Sequence, residues 1–183
     1  NGVPGLREYT VMTPTKATFS GSYFFASPGK PTQPLGFISA DIEWVNYAGT
    51  RFSSNDFDEE SANYYDDLNN TMKSTYKNNL NIKIGSEIKL TSNWMARAGT
   101  AYYGSPYKNE FADENGNALV TPSRFILSGG IGYRTNKYFI DFTISSAANR
   151  DAVVPYRLID KPSPIAVQNS NAVLFNIGYG IRF

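Results

Sequence analysis

The side chains able to act on a solute sit beside apolar neighbours, one residue apart along the chain. Asp41, Glu43, Lys83, Glu87, Lys89, Arg97, Arg124, Arg134, Asp141 and Arg182 each adjoin at least one apolar residue. In an extended chain that spacing gathers them on one face. A surface lined by both signs of charge guides a carboxylate or forms a selective conduit. It serves equally as a mutually neutralising ladder that keeps an interior polar and rigid. Arg97 and Arg124 are the best candidates for an anionic head group, because a guanidinium grips a carboxylate through a planar two-point fork. Catalytic chemistry is poorly provided for. The chain has no His and no Cys, which removes the Ser-His-Asp triad, thiolate nucleophiles and His- or Cys-ligated metal. No acid pair or Ser-Lys arrangement carries a motif, so neither an enzyme nor a cofactor is expected. With 17 Lys plus Arg against 16 Asp plus Glu in 183 residues, the net charge of +1 also argues against a nucleic-acid partner.

Seven segments carry period-2 alternation and would position those groups. The first runs from Lys16 to Phe25, with Phe19 and Tyr23 opposite Thr18, Ser20 and Ser22. The second covers about Gly36 to Thr50, setting Ile38, Ile42 and Trp44 against Asp41 and Glu43. In the third, Leu80, Ile82, Ile84, Ile88 and Leu90 oppose Lys83, Glu87 and Lys89. The fourth opposes Trp94, Ala96, Ala98 and Tyr102 to Met95 and Arg97, and the fifth opposes Phe125, Leu127, Ile131 and Tyr133 to Arg124 and Arg134. The sixth sets Tyr138, Ile140, Phe142 and Ile144 against Asp141, and the seventh runs from Val173 to Phe183. Each is roughly 10 residues, the length with which a tilted strand crosses a bilayer.

The connections alternate in length. Ser27–Pro34, Thr91–Asn93 and Thr135–Lys137 read as compact turns, while the connections at about 52–79, 104–123 and 146–171 are long. In a transmembrane barrel short turns face the periplasm and long loops face outward. Trp44, Tyr47, Trp94, Tyr102, Tyr133, Tyr138 and Tyr179 lie toward segment ends, as in the aromatic girdles of such barrels. The charges share one face, and the centre of the other face has none, because Arg or Lys at the bilayer midplane costs about 2–4 kcal/mol. The expected fold is all-β, an antiparallel transmembrane barrel. A soluble all-β binding module with an aromatic core is the alternative.

A family resemblance rests on specific runs. Arg97-Ala98-Gly99-Thr100-Ala101-Tyr102-Tyr103-Gly104-Ser105-Pro106-Tyr107, followed by Ser123-Arg124-Phe125-Ile126-Leu127-Ser128-Gly129-Gly130-Ile131-Gly132-Tyr133-Arg134, resembles the signature of FadL-type outer-membrane transporters for long-chain fatty acids and hydrocarbons. Pro14-Thr15-Lys16-Ala17 and Ala40-Asp41-Ile42-Glu43-Trp44-Val45 are similar to elements upstream in that family. The resemblance implies a fourteen-stranded barrel plugged by an N-terminal hatch, with passive uptake of hydrophobic small molecules in a Gram-negative outer membrane. It implies no cofactor and no energy source. The terminal Phe183 matches the signal read by barrel-assembly machinery. A FadL-like barrel acting as a protein secretion or assembly partner is the second functional reading.

Seven strands are an odd number, whereas bacterial single-chain barrels have an even one. The expectation is therefore that residues 1–183 form the C-terminal part of one transmembrane β-barrel domain, the N-terminal half and hatch being separate. The absence of an initiator Met or apolar leader in Asn1–Gly5 points the same way. In the outer connections, Phe57, Ser61, Tyr65, Leu68, Met72 and Tyr76 recur at helical spacing among acidic residues. They suggest a loop helix that captures greasy substrate, binds divalent ions bridging lipopolysaccharide, or simply packs on the rim. Asp113–Asn117 reads as a loop-tip turn, lacking calcium-loop spacing. Val153, Val154, Tyr156 and Leu158 form an apolar outer segment, read as a ligand funnel or lid or as a loop folded onto its neighbours. Phe24, Phe139 and Met95 fall on the polar face, where they line an apolar path or meet the hatch.

Overall fold

The computed structural model describes residues 9–54, 59–108, 120–156, 158 and 163–182. Seven strands form one antiparallel sheet in simple sequence order: β2 (Thr15–Ser27), β3 (Lys30–Asn46), β5 (Asn78–Lys89), β6 (Trp94–Tyr103), β7 (Ser123–Arg134), β8 (Tyr138–Val153) and β9 (Ala166–Ile181). The two remaining strands, β1 (Tyr9–Met12) and β4 (Arg51–Ser54), pair only with each other. A meander of next-neighbour pairs is what short turns between period-2 segments dictate.

Burial runs opposite to that of a soluble sheet. Along β8 the apolar Tyr138, Ile140, Phe142 and Ile144 are exposed, while Phe139, Asp141, Thr143 and Ser145 between them are partly sheltered. Phe19 is 74% exposed and Ile177 79%, and no second layer covers the apolar face among the described residues. The total accessible surface is 13279 Å², against about 8,800 Å² for a soluble monomer of this mass. A soluble sandwich would bury those side chains between two layers. Here a single layer offers them to an apolar solvent.

Three boundaries differ from those read off the sequence. The Pro-rich stretch is mostly strand: β3 resumes at Lys30, and the turn is Pro28-Gly29, where Gly29 takes φ 72°, a region that favours glycine. The second segment stops at Asn46 and passes into a 3-10 turn at Tyr47–Gly49 rather than continuing to Thr50. The largest change is in the last outer connection, which shrinks from 146–171 to 154–165 because β8 and β9 stay paired from Ser146↔Val173 to Val153↔Ala166. Those residues are mostly polar and small, so no alternation marks them. Backbone pairing needs none where a strand rises clear of an apolar surface.

The helical spacing in the acidic segment does become helix, α1 (Glu59–Thr75), with Phe57 outside the described residues. Its stripe packs on the chain's own rim. Tyr65 is 8% exposed and lies 6.4 Å from the Tyr9 ring. The Asn69 amide closes a two-point pair with the Phe52 backbone, accepting from its N–H at 2.7 Å and donating to its carbonyl at 2.8 Å. Beyond the helix, the Lys77 N–H donates to the Pro106 carbonyl and the Lys108 N–H to that of Thr75. The rings of Tyr76 and Tyr107 lie 5.2 Å apart. Two long connections are thereby tied into one cap.

Candidate functional site

The polar face carries two charge clusters. In the first, Arg97 on β6 holds two carboxylates at once. Its Nε donates to Glu87 of β5 at 2.6 Å and its Nη1 to Asp141 of β8 at 2.7 Å. Glu87 is the direct register partner of Arg97, so that contact follows from sheet geometry. Asp141 lies two strands away, across β7, at roughly 10 Å for strands spaced 4.7–4.9 Å apart. The guanidinium can lie across β7 because the position beneath it is Gly132, the partner of Asp141, while Gly130 is the direct partner of Arg97. A Cβ on Gly132 would strike the Asp141 Oδ1 and come within 3.4–3.5 Å of both terminal nitrogens of Arg97.

The second cluster lies toward the outer connections. Lys16 Nζ meets Glu43 at 2.5 Å, Asn81 donates to the other Glu43 oxygen at 2.8 Å, and Asn79 donates to Asn81 at 2.9 Å. Asn79 and Asn81 are buried, whereas the Lys16 side chain is 57% exposed. Lys16, Asn79 and Asn81 carried no functional expectation from the sequence. The available signal was parity, Asn79 and Asn81 with Lys83 along β5 and Lys16 with Thr18 and Ser20 along β2, and Gly132 was the signal for the path of Arg97.

The remaining sequence candidates are dispersed. Asp41 faces Lys83 in the β3–β5 register, and Lys83 Nζ sits 5.7 Å from the centre of the Tyr103 ring. Arg124 is exposed beside Tyr103 and Asn149. Six residues separate it from Gly130, the partner of Arg97, so the two arginines stand roughly 20 Å apart. The structure does not bring them together as one anion fork. Arg134 lies at the opposite end, its Nε buried without a hydrogen-bond partner among the described residues. Phe24 is 67% exposed, its ring tilted against that of Phe37 with centroids 5.6 Å apart, Phe139 lays its ring over Gly180, and Met95 is buried.

Among the outer residues, Val153 ends β8 and Val154 packs with Ile165 and Tyr107 on the small Val120–Ala152 core. Tyr156 and Leu158 remain exposed. The segment thus folds partly onto its neighbours. Asp113–Asn117 and Phe183 fall outside the described residues. No group of acidic residues able to hold a metal occurs among the described residues.

No sequence among the curated proteins matches this chain. The crystal structure of a Pseudomonas aeruginosa FadL homologue is similar over 91% of this chain, with 17% identity and a TM-score of 0.45, a likeness too slight to carry an argument. The chain spans 34% of that protein's length. The family model of the outer membrane protein transport proteins (OMPP1/FadL/TodX) matches residues 38–183. That span takes in six of the seven strands of the sheet from within β3 onward, both charge clusters apart from Lys16, and Gly132 under Arg97. An antiparallel sheet whose apolar face lies open and whose polar face is tied by ion pairs is the wall of an outer-membrane β-barrel, and this chain belongs to the OMPP1/FadL/TodX family of outer membrane transport proteins of Gram-negative bacteria.

Proposed function

We propose that the chain is the C-terminal part of a transmembrane barrel through which hydrophobic small molecules, fatty acids or hydrocarbons, pass passively across the outer membrane. The observation that supports it best is the inverted burial of the sheet, apolar outward and polar inward, within a transport family. In this reading the turns at 28–29, 90–93 and 135–137 face the periplasm, and α1 with the connection at 154–165 faces outward. The two free edges, β2 and β9, pair with further strands of the same barrel, since unpaired edges do not persist in lipid. Arg97 is structural first, because two carboxylates occupy it. Arg124, which rises toward the outer connections and is exposed, is the better first contact for a carboxylate head group. Tyr156 and Leu158 offer apolar surface on the outer connection. Phe183 is assigned to recognition by the assembly machinery, and lipopolysaccharide is the expected lipid around the outer loops. No covalent step enters the proposal.

The test is uptake of a labelled long-chain fatty acid into proteoliposomes holding the intact protein, without ATP or an ion gradient. Saturable entry above that of empty vesicles, lowered several-fold by Arg124→Ala, is the expected result. Entry equal to that of empty vesicles removes the transport reading. Unchanged entry in Arg124→Ala removes only the residue assignment.

A further inference from the structure

The polar face of β7 begins and ends on an arginine. Arg124 stands at the outer end and Arg134 ten residues on, at the turn end, roughly 33 Å away. Between them that face carries no charge, only Ile126, Ser128, Gly130 and Gly132. Arg134 has cationic company. The Arg182 N–H donates to the Lys137 carbonyl at 2.8 Å, which carries the β8–β9 ladder one step past Tyr138↔Ile181 and sets Lys137 and Arg182 side by side on the polar face. Arg134 pairs with Phe139, one strand over and two residues along from Lys137, so roughly 8 Å separates the two backbones. Three cations therefore share one corner of the inner wall.

No carboxylate of the wall neutralises them. β7 and β9 contain no Asp or Glu. Asp141, the next inward-facing residue of β8 after Phe139, is held by Arg97 at 2.7 Å, and no ion pair reaches Arg134, Lys137 or Arg182 among the described residues. Lys137 and Arg182 are exposed, and Arg134 keeps its Nε buried without an acceptor. In the same corner the Phe139 ring lies over Gly180, two residues before Arg182. Cations gathered around an aromatic ring complement an anion that carries an apolar chain. Resting on the transport reading given above, we propose that Arg134, Lys137 and Arg182 form an inner subsite that receives the carboxylate of the solute, with its first carbons against Phe139. A head group then meets a cation at each end of β7 and an uncharged path between them. A neutral hydrocarbon is held at neither end, so the corner selects carboxylates.

Photolabelling of the intact protein in nanodiscs tests the subsite, with two probes: hexadecanoate carrying a diazirine beside its carboxylate, and the matching hexadecanol. The acid is expected to mark Phe139 and the stretch 178–182, read by peptide mass spectrometry, and the alcohol to mark them about tenfold less. Lys137→Gln combined with Arg182→Gln, both at exposed positions, lowers marking by the acid about tenfold and leaves that by the alcohol unchanged. Arg134→Gln acts likewise, and if heat-modifiable gel migration shows it unfolded, the double variant decides. Absence of adducts at these residues, equal marking by acid and alcohol, or marking unmoved by the double variant overturns the proposal. Protection by millimolar inorganic phosphate makes the corner a general anion site, protection by phosphatidylglycerol a lipid head-group site, and either result also overturns it. Uptake separates the subsite from the reading on which it rests. Marking in a protein that passes no fatty acid removes transport and leaves the subsite standing as a binding site, whereas uptake without marking removes only the subsite.

Discussion

The two charge clusters look alike in sequence and differ in construction. Lys16 reaches Glu43 over an adjacent strand, with its side chain 57% exposed. Arg97 is 27% exposed, ties β5, β6 and β8 together through two carboxylates, and depends on Gly132 in the strand it crosses. An exposed Lys–carboxylate pair adds little, because water screens it and two long side chains must be immobilised. A sheltered guanidinium between two carboxylates differs in kind, since removing it leaves like charges facing each other. The value of an ion pair in this wall is set by shelter and by the number of partners, not by proximity alone.

The widest form of that comparison is between the two faces, and successive residues of β8 test it. Ile144→Arg places a cation on the apolar face and is expected to destabilise the folded barrel by about 2–4 kcal/mol in urea titration in lipid. Ser145→Arg, one residue on and facing inward, should cost less than about 1 kcal/mol. Equal effects would break the assignment of the faces.

Next in size is Arg97→Met. It strands Glu87 and Asp141 and should cost about 1–3 kcal/mol in the same titration. Adding Glu87→Gln and Asp141→Asn should restore much of the loss. A single-variant effect within error would make the cluster as dispensable as its exposed counterpart.

Gly132→Ala sharpens the comparison by leaving every charge in place and only obstructing their path. The expected loss is about 1 kcal/mol. Combined with Asp141→Ala it should be smaller than the sum of the two, a coupling that a double-mutant cycle reads directly. Strict additivity would show that the glycine serves something other than the Arg97 crossing. The smallest effect belongs to Lys16→Met, which should leave the unfolding midpoint unchanged within error.

Much of this architecture is legible in the chain. The alternation from Leu80 to Leu90 and from Tyr138 to Ile144 fixes both the strands and their faces, because side chains alternate with a period of two. The helix around Tyr65, Leu68 and Met72 is visible for the corresponding reason, a spacing of three and four. Legibility fails where the pattern does. Nothing in Ser146–Val153 announces a strand, and its pairing with β9 comes only from the partner alongside. The Pro-rich stretch from Lys30 to Pro34 likewise reads as a turn yet runs as strand.

The functional candidates divide along the same line. Parity alone places Asp41, Glu43, Lys83, Glu87, Arg97 and Asp141 on one face, since a single register rule covers every residue of a strand. It says nothing about which of them meet. Arg97 and Arg124, equal candidates in the sequence, lie roughly 20 Å apart once β6 and β7 are aligned. Arg97 and Asp141, which nothing in the sequence links, come within 2.7 Å. Along a strand, geometry is local and each residue dictates its own direction. Across strands it depends on the stagger of several hydrogen-bonded ladders and on whether an intervening position lacks a side chain, and those are decided only when the whole sheet is assembled.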